Sequence, residues 1–168
     1  MAFEVKRIAA AGIPHALEKA ERYRLLNDPA QAESICRDVL AADPGNQDAL
    51  RALILSLTDQ FGEHGAGGAA REARGHVAAL VDEYERAYFA GIVFERETRA
   101  FLARKTVVRS AAYDGFRHAM ECYERAEQLR PPGNEDAILR WNSCVRAIER
   151  ERLEPEPDDA ERRELPLE

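Results

Sequence analysis

Four histidines, three cysteines and one glycine-rich run are the residues with which this chain could do metal, nucleophilic or nucleotide chemistry. His15, His64, His76 and His118 form no H-E-x-x-H pair. His76, which has Glu72 and Glu83 within reach along the chain, would need ligands from elsewhere to hold a metal. Cys36, Cys122 and Cys144 are odd in number and show no C-x-x-C spacing. Each falls inside a predicted helix, which reads as reduced packing residues. Gly65-Ala66-Gly67-Gly68-Ala69-Ala70 satisfies G-x-G-x-x-A, but a dinucleotide site needs a strand ahead of that turn and a predicted helix stands there instead. His64 followed by glycines has the look of an esterase oxyanion loop without the G-x-S-x-G nucleophile that would use it. No G-K-[ST] is present to cradle a phosphate. Asp82, Glu83 and Glu85 read as a solvated helix face, as do Glu121, Glu124, Arg125 and Glu127. The expectation is a protein with no catalytic constellation, no cofactor and no metal.

The totals point the same way. At 168 residues the chain suits one domain, and 45% apolar with 33% charged residues is the balance of a folded protein rather than a disordered one. A formal net charge of -7 argues against a nucleic-acid partner, which calls for a basic face. No apolar run approaches the roughly 20 residues that span a bilayer. The opening MAFEVKRIAAAGIPHALEK makes a poor signal peptide, so a cytoplasmic protein without a membrane partner is expected. Lysine occurs only at Lys6, Lys19 and Lys105, and arginine supplies the rest of the positive charge. That bias favours planar, bidentate contacts to anions.

The elements that must position these residues are all predicted helices. Residues 2–11 form a short leading helix ended by Gly12, and Pro14 opens a helix that runs to about Leu26. Asp28 caps the next, with Pro29 at its first position and Ala32, Ile35, Cys36, Val39 and Leu40 on one stripe. Pro44-Gly45 stops it. Asn46 or Gln47 opens a helix with Leu50, Leu53, Ile54, Leu57 and Phe61 inward. Residues 62–68 read as a linker, followed by a long helix from about Ala69 to Ala90, a bend at Gly91, and a helix from Ile92 to about Arg104 with Phe94, Thr98, Phe101 and Leu102 on one side. Ala111 to Leu129 and Asn134 to about Arg152 complete the domain, residues 1–152. Residues 153–168, acidic and proline-bearing, read as a disordered tail.

Two stretches are near copies: AESICRDVLAADPGN, from Ala32 to Asn46, and AMECYERAEQLRPPGN, from Ala119 to Asn134, each followed by a helix opening. Tyr23, Ala32, Cys36 and Pro44 in the first, and Ala119, Tyr123, Ala126 and Pro131 in the second, resemble the tetratricopeptide repeat signature, with Ala20 in place of its small glycine. Leu80, Tyr84 and Ala87 read as a third copy between them. The resemblance implies an all-α, helix-turn-helix solenoid of about three degenerate repeats with the last helix as a cap. In similar proteins the first helix of each repeat lines a concave groove that binds another protein. Carried onto this chain, that geometry turns Arg51 and Leu55, Arg96 and Arg99, and Leu139 and Arg140 inward as peptide-binding residues. An arginine-lined groove suits an acidic or C-terminal carboxylate peptide. The acidic tail, with Glu154, Glu156, Asp158, Asp159 and Glu161, is a tethered ligand for the same groove. The alternative is a structural or oligomerising helical subunit in which these arginines serve packing.

Overall fold

The computed structural model describes residues 3–64, 66–105 and 107–157, which are all-α, without a strand among them. A 3-10 turn at Ala10–Gly12 leads into α1 (Ile13–Leu25), followed by α2 (Pro29–Ala42) and α3 (Gln47–Asp59). A short helical turn, α4 (Phe61–His64), precedes α5 (Ala66–Ala78). Then come α6 (Glu83–Arg104), α7 (Arg109–Leu129) and α8 (Asp136–Glu151). None is long and apolar enough to cross a membrane.

Local chemistry sets most of these boundaries. The Asp28 carboxylate accepts from the Gln31 N–H, and Pro29 takes the first position of α2, where its missing N–H is not needed. The Asn46 side chain accepts from Ala49 N–H at 2.9 Å and starts α3 directly after Pro44-Gly45. The expected leading helix over residues 2–11 is not formed: residues 3–9 carry no regular structure, and Phe3 stands 98% exposed. So short a helix is marginal in water unless a face is buried, and this one has nothing to pack on.

The middle of the chain departs from expectation in three places. Residues 62–68 are not simply a linker, since Gly67 and Gly68 belong to α5. Phe61, Ala70 and Ala73 are buried in the core and hold both ends of this stretch, and Arg104 donates to the Gly62 carbonyl at 2.8 Å. The long helix expected to end at Ala90 breaks instead after Ala78. It restarts at Glu83, where the Asp82 carboxylate accepts from Glu85 N–H at 2.9 Å and Glu83 and Glu85 bring negative charge to the first turn. α6 then runs straight through Gly91.

Gly91 is there for proximity rather than for a bend. A Cβ on it would stand 2.5 Å from Cε1 of Tyr123 in α7. A reciprocal notch lies further along, where a Cβ on Gly115 of α7 would collide with the Thr98 side chain of α6. As α6 advances from Gly91 to Thr98, its partner positions recede from Tyr123 to Gly115, so the two helices are antiparallel and interlocked.

Leu80, Tyr84 and Ala87 therefore do not share one helix, because the break between α5 and α6 separates Leu80 from the other two. The trio with the corresponding burial is Ala73, Val77 and Leu80. It repeats the spacing of Ala32, Cys36 and Val39 and of Ala119, Tyr123 and Ala126, and all nine side chains are buried. Small residues at these positions let paired helices approach closely.

Each long helix packs on the next, and α3 also meets α1 and α6. α1, α3 and α6 thus form one layer and α2, α5 and α7 lie behind them. α8 packs on α7 and reaches α6 through Arg99, which donates to the Ser143 hydroxyl at 3.0 Å. One apolar cluster, with Leu53, Ile54, Phe61, Leu80, Ile92, Phe116 and Tyr123 among its largest buried side chains, runs between the layers.

Candidate functional site

The face made by α1, α3, α6 and α8 carries a line of alternating charge. Its fixed centre is Glu95, in the middle of α6 and only 1% exposed. Glu95 falls in the buried stripe of its helix, between Gly91 and Thr98, where an apolar residue would be ordinary. Its carboxylate accepts from the Tyr123 hydroxyl at 2.7 Å, from Arg99 Nε at 3.0 Å and from Arg140 Nη1 at 3.5 Å. Tyr123 is fully buried. Burial, followed by the adjacent Glu95 charge, drives its phenol pKa far above the ordinary value, so the hydroxyl remains a donor.

The second anion in the line is Asp59, at the end of α3. It pairs with Arg24 of α1 at 2.9 Å and with Arg96 of α6, and Arg96 also donates to the Thr58 hydroxyl at 2.7 Å. Burial pulls the Arg96 pKa down. Asp59 opposes that pull, while the like charges of Arg140 and Arg24 add to it. Burial also works to lower the Arg140 pKa, but Glu95 and the Tyr123 and Tyr88 hydroxyls outweigh it and hold that group above its usual value. Four guanidinium groups, from Arg24, Arg96, Arg99 and Arg140, are thus shared between two carboxylates, Asp59 and Glu95.

Arg51 stands apart from this line. It forks onto both oxygens of Glu85 at 2.9 Å and also pairs with Asp48. With Leu55 it lines a neighbouring groove of about 620 Å³ between α1 and α3. Ile13, Leu17, Ala52 and Phe89 supply the apolar wall there, Glu18, Glu21 and Asp48 bring negative charge, and Arg24 of the charge line reaches the same groove. Leu139 is 63% exposed on α8. Of the six residues expected to line one groove, Arg96, Arg99 and Arg140 come together, Arg51 and Leu55 line the adjoining groove, and Leu139 lies at the surface beside Arg140 in the chain. Arg51 lies outside the cationic cluster, and its charge is matched by two acids of its own.

Sequence reasoning missed Glu95, Asp59, Arg24 and Tyr123 as members of this network. A glutamate on the Gly91–Glu95–Thr98 stripe was the available signal, since a carboxylate in that position must find donors. Arg24 and Asp59 gave no such sign, because their meeting depends on how α1 crosses α3.

The other candidates resolve separately. The His76 imidazole lies 3.5 Å from Glu72, which also pairs with Arg37 at 2.7 Å, and no cluster of three metal-ligating side chains occurs among the described residues. The His64 side chain and Gly65 lie outside the described residues. Burial pushes the Cys36 thiol up to about 11 and the Cys144 thiol up to about 12, and it also raises Cys122. Leu153 is buried and bonds back to the Ile148 carbonyl at 3.0 Å, so α8 closes firmly. Residues 154–157 are exposed, and residues 158–168 of the tail lie outside the described residues. No protein-family model and no curated protein matches the chain. Its likeness to tetratricopeptide repeats rests on the residue pattern.

Proposed function

We propose that this chain is a protein-interaction module, a tetratricopeptide-like helical solenoid whose α1/α3/α6/α8 face receives an acidic segment of another protein. The observation that carries the reading is the charge imbalance on that face. Four arginines share two carboxylates in a chain of net charge -7. An acidic ligand is repelled by the protein as a whole and attracted at this one place, which favours a defined docking position. The half-buried groove beside Leu55 and Phe89 supplies an apolar shelf next to the charge. With so few anchors, affinity in the micromolar range, about 8 kcal/mol, is the expected scale.

The test is titration of a labelled Glu/Ala-rich peptide into the full chain by fluorescence anisotropy at low and moderate salt. The reading requires saturable binding that weakens with salt and is lost in Arg24→Glu/Arg140→Glu. No saturable binding at low salt refutes it. The acidic tail is a competing ligand in cis: removal of residues 154–168 strengthens peptide binding if the tail occupies the face and leaves it unchanged if it does not.

A second reading is supported by Arg96, whose contacts with Thr58, Asp59 and the Leu55 carbonyl are those of a packing residue. On that reading the chain is a structural or oligomerising subunit and the charge line is internal cement. Peptide titration then shows nothing, whereas charge substitutions lower stability or change the sedimentation coefficient.

A further inference from the structure

The groove between α1 and α3 and the chain ahead of α1 complement each other. The groove encloses about 620 Å³ over an apolar floor of Leu17, Ala52, Leu55 and Phe89. Arg24 and Arg51 reach into it, but each is held at 2.9 Å by an acid, Arg24 by Asp59 and Arg51 by Glu85. Glu18 and Glu21 line its α1 side, are exposed, and are in no ion pair among the described residues. The charge left for an occupant is therefore negative, and an apolar segment that carries cations fits it.

Residues 3–9 are such a segment. They carry no regular structure, Phe3 and Val5 are 98% and 84% exposed, and Lys6 and Arg7 stand exposed after them. In an extended chain Phe3, Val5 and Arg7 fall on one side, so two apolar groups and a guanidinium can enter a groove together. The arm does not reach the groove of its own chain. Ile8 lines a hollow of about 360 Å³ with His15, Ala16 and Lys19 of α1 and Ile35 of α2. At about 3.6 residues per turn, those α1 positions face away from Leu17, Glu18 and Glu21, so the arm departs over the opposite side of the helix. We propose that the arm docks in the α1/α3 groove of a second copy of this chain, by reciprocal exchange in a symmetric pair. The arm joins α1 through Ala10–Gly12, and the groove begins at Ile13, so both lie at one end of α1. A two-fold axis beside that end brings each arm over the other copy's groove. Phe3 and Val5 take the apolar floor, and Lys6 and Arg7 face Glu18 and Glu21. In the pair the arm covers the shelf beside Leu55, and the arginines of α6 and α8 stay open to the acidic segment.

Sedimentation equilibrium of the full chain from about 1 µM to about 1 mM tests this, a range suited to a small interface. The apparent mass rises with concentration from the 18.9 kDa of one chain toward twice that value. Phe3→Ser/Val5→Ser, at exposed positions that leave the fold intact, weakens the association at least about tenfold. Charge reversal is stricter. Lys6→Glu/Arg7→Glu and Glu18→Lys/Glu21→Lys each lose the pairing alone, and an equimolar mixture of the two variants regains it, because every arm then meets a groove of opposite charge. Circular dichroism confirms that each variant is folded. A constant mass across the range, pairing that survives Phe3→Ser/Val5→Ser, a mixture no more associated than its components, or growth past twice the mass of one chain each overturns the exchange.

Discussion

Glu95→Ala is the substitution that most directly tests the account of the charged face. Three losses add. The Tyr123 hydroxyl, fully buried and donating to Glu95 at 2.7 Å, is left without an acceptor, worth about 1–3 kcal/mol. The one buried methylene that Glu95 loses, Cγ, leaves a void worth about 0.8 kcal/mol. Arg99 and Arg140 lose their anion, but with about a third of each side chain exposed, water takes over, and this term is about 0–1 kcal/mol. The expected destabilisation is about 2–5 kcal/mol, a large share of the stability of a domain this size. Glu95→Gln, which keeps the shape and an oxygen for the tyrosine, loses only about 1–2 kcal/mol. The decisive comparison is the cycle of Glu95→Leu, Tyr123→Phe and the double variant. Removing both polar partners leaves no orphan, so the double variant is less destabilised than the sum of the single ones by at least about 1 kcal/mol. Urea unfolding followed by circular dichroism measures all of these. A loss below about 1 kcal/mol for Glu95→Ala, or additivity in the cycle, would show that the buried carboxylate is not the hub described above.

The two helical glycines Gly91 and Gly75 should respond oppositely to alanine. Gly91→Ala drives a methyl into the Tyr123 ring and destabilises by about 1–3 kcal/mol despite its better helix propensity, whereas Gly75→Ala, with open space around it, stabilises by about 0.5–1 kcal/mol; thermal melts decide both. Asn46→Ala removes the acceptor for Ala49 N–H and should lower stability by about 1 kcal/mol, and Asn46→Asp should also be destabilising in the same melts, because the Asn46 amide donates to the Asp43 carboxylate at 3.0 Å and a second carboxylate there is repelled. Stability should fall as pH rises above about 9. The unfolded thiols ionise near 9.0, while folded Cys36 and Cys144 keep their protons to about 11 and about 12, so between those values the native state binds more protons than the unfolded one. Each group contributes a slope of about 1.4 kcal/mol per pH unit there, and Tyr123 adds to it above about pH 10. Urea midpoints between pH 8 and 11 measure the decline, and Cys36→Ala/Cys144→Ala should flatten it.

The parts of the fold that were legible are those encoded within a few residues. Asp28-Pro29, Pro44-Gly45-Asn46 and the stripes of α2, α3 and α7 are local signals, and the helices begin, end and face where those signals direct. The middle was misread because its signals are tertiary. Gly91 looks like a break in one dimension and is a docking notch in three. Asp82 looks like part of a solvated face in the sequence and is the cap that starts α6. That one misplaced boundary put Leu80, Tyr84 and Ala87 across a loop, whereas the buried spacing is carried by Ala73, Val77 and Leu80. The site was half legible for the same reason. Arg96, Arg99 and Arg140 share a face that the tetratricopeptide resemblance implies, but their anions come from the same buried stripe and from the end of α3, on which that resemblance is silent.

The network's position bears on what it can do. A buried carboxylate ringed by arginines is rarely the most stabilising choice for a helix interface, and an apolar residue of similar volume often serves stability as well or better. What Glu95 supplies is geometry. It fixes Arg99 and Arg140 from beneath while Tyr123, locked against Gly91, fixes Glu95. Arginine side chains held this way have already lost much of the rotamer freedom that binding would otherwise take from them, on the order of 0.5–1.5 kcal/mol each. An anion arriving at this face therefore meets donors that need little rearrangement. The same reasoning separates the two ends of the face. Arg51, held by two acids, is equally rigid but already neutralised, so it offers an incoming anion less than Arg99 and Arg140, which share one carboxylate.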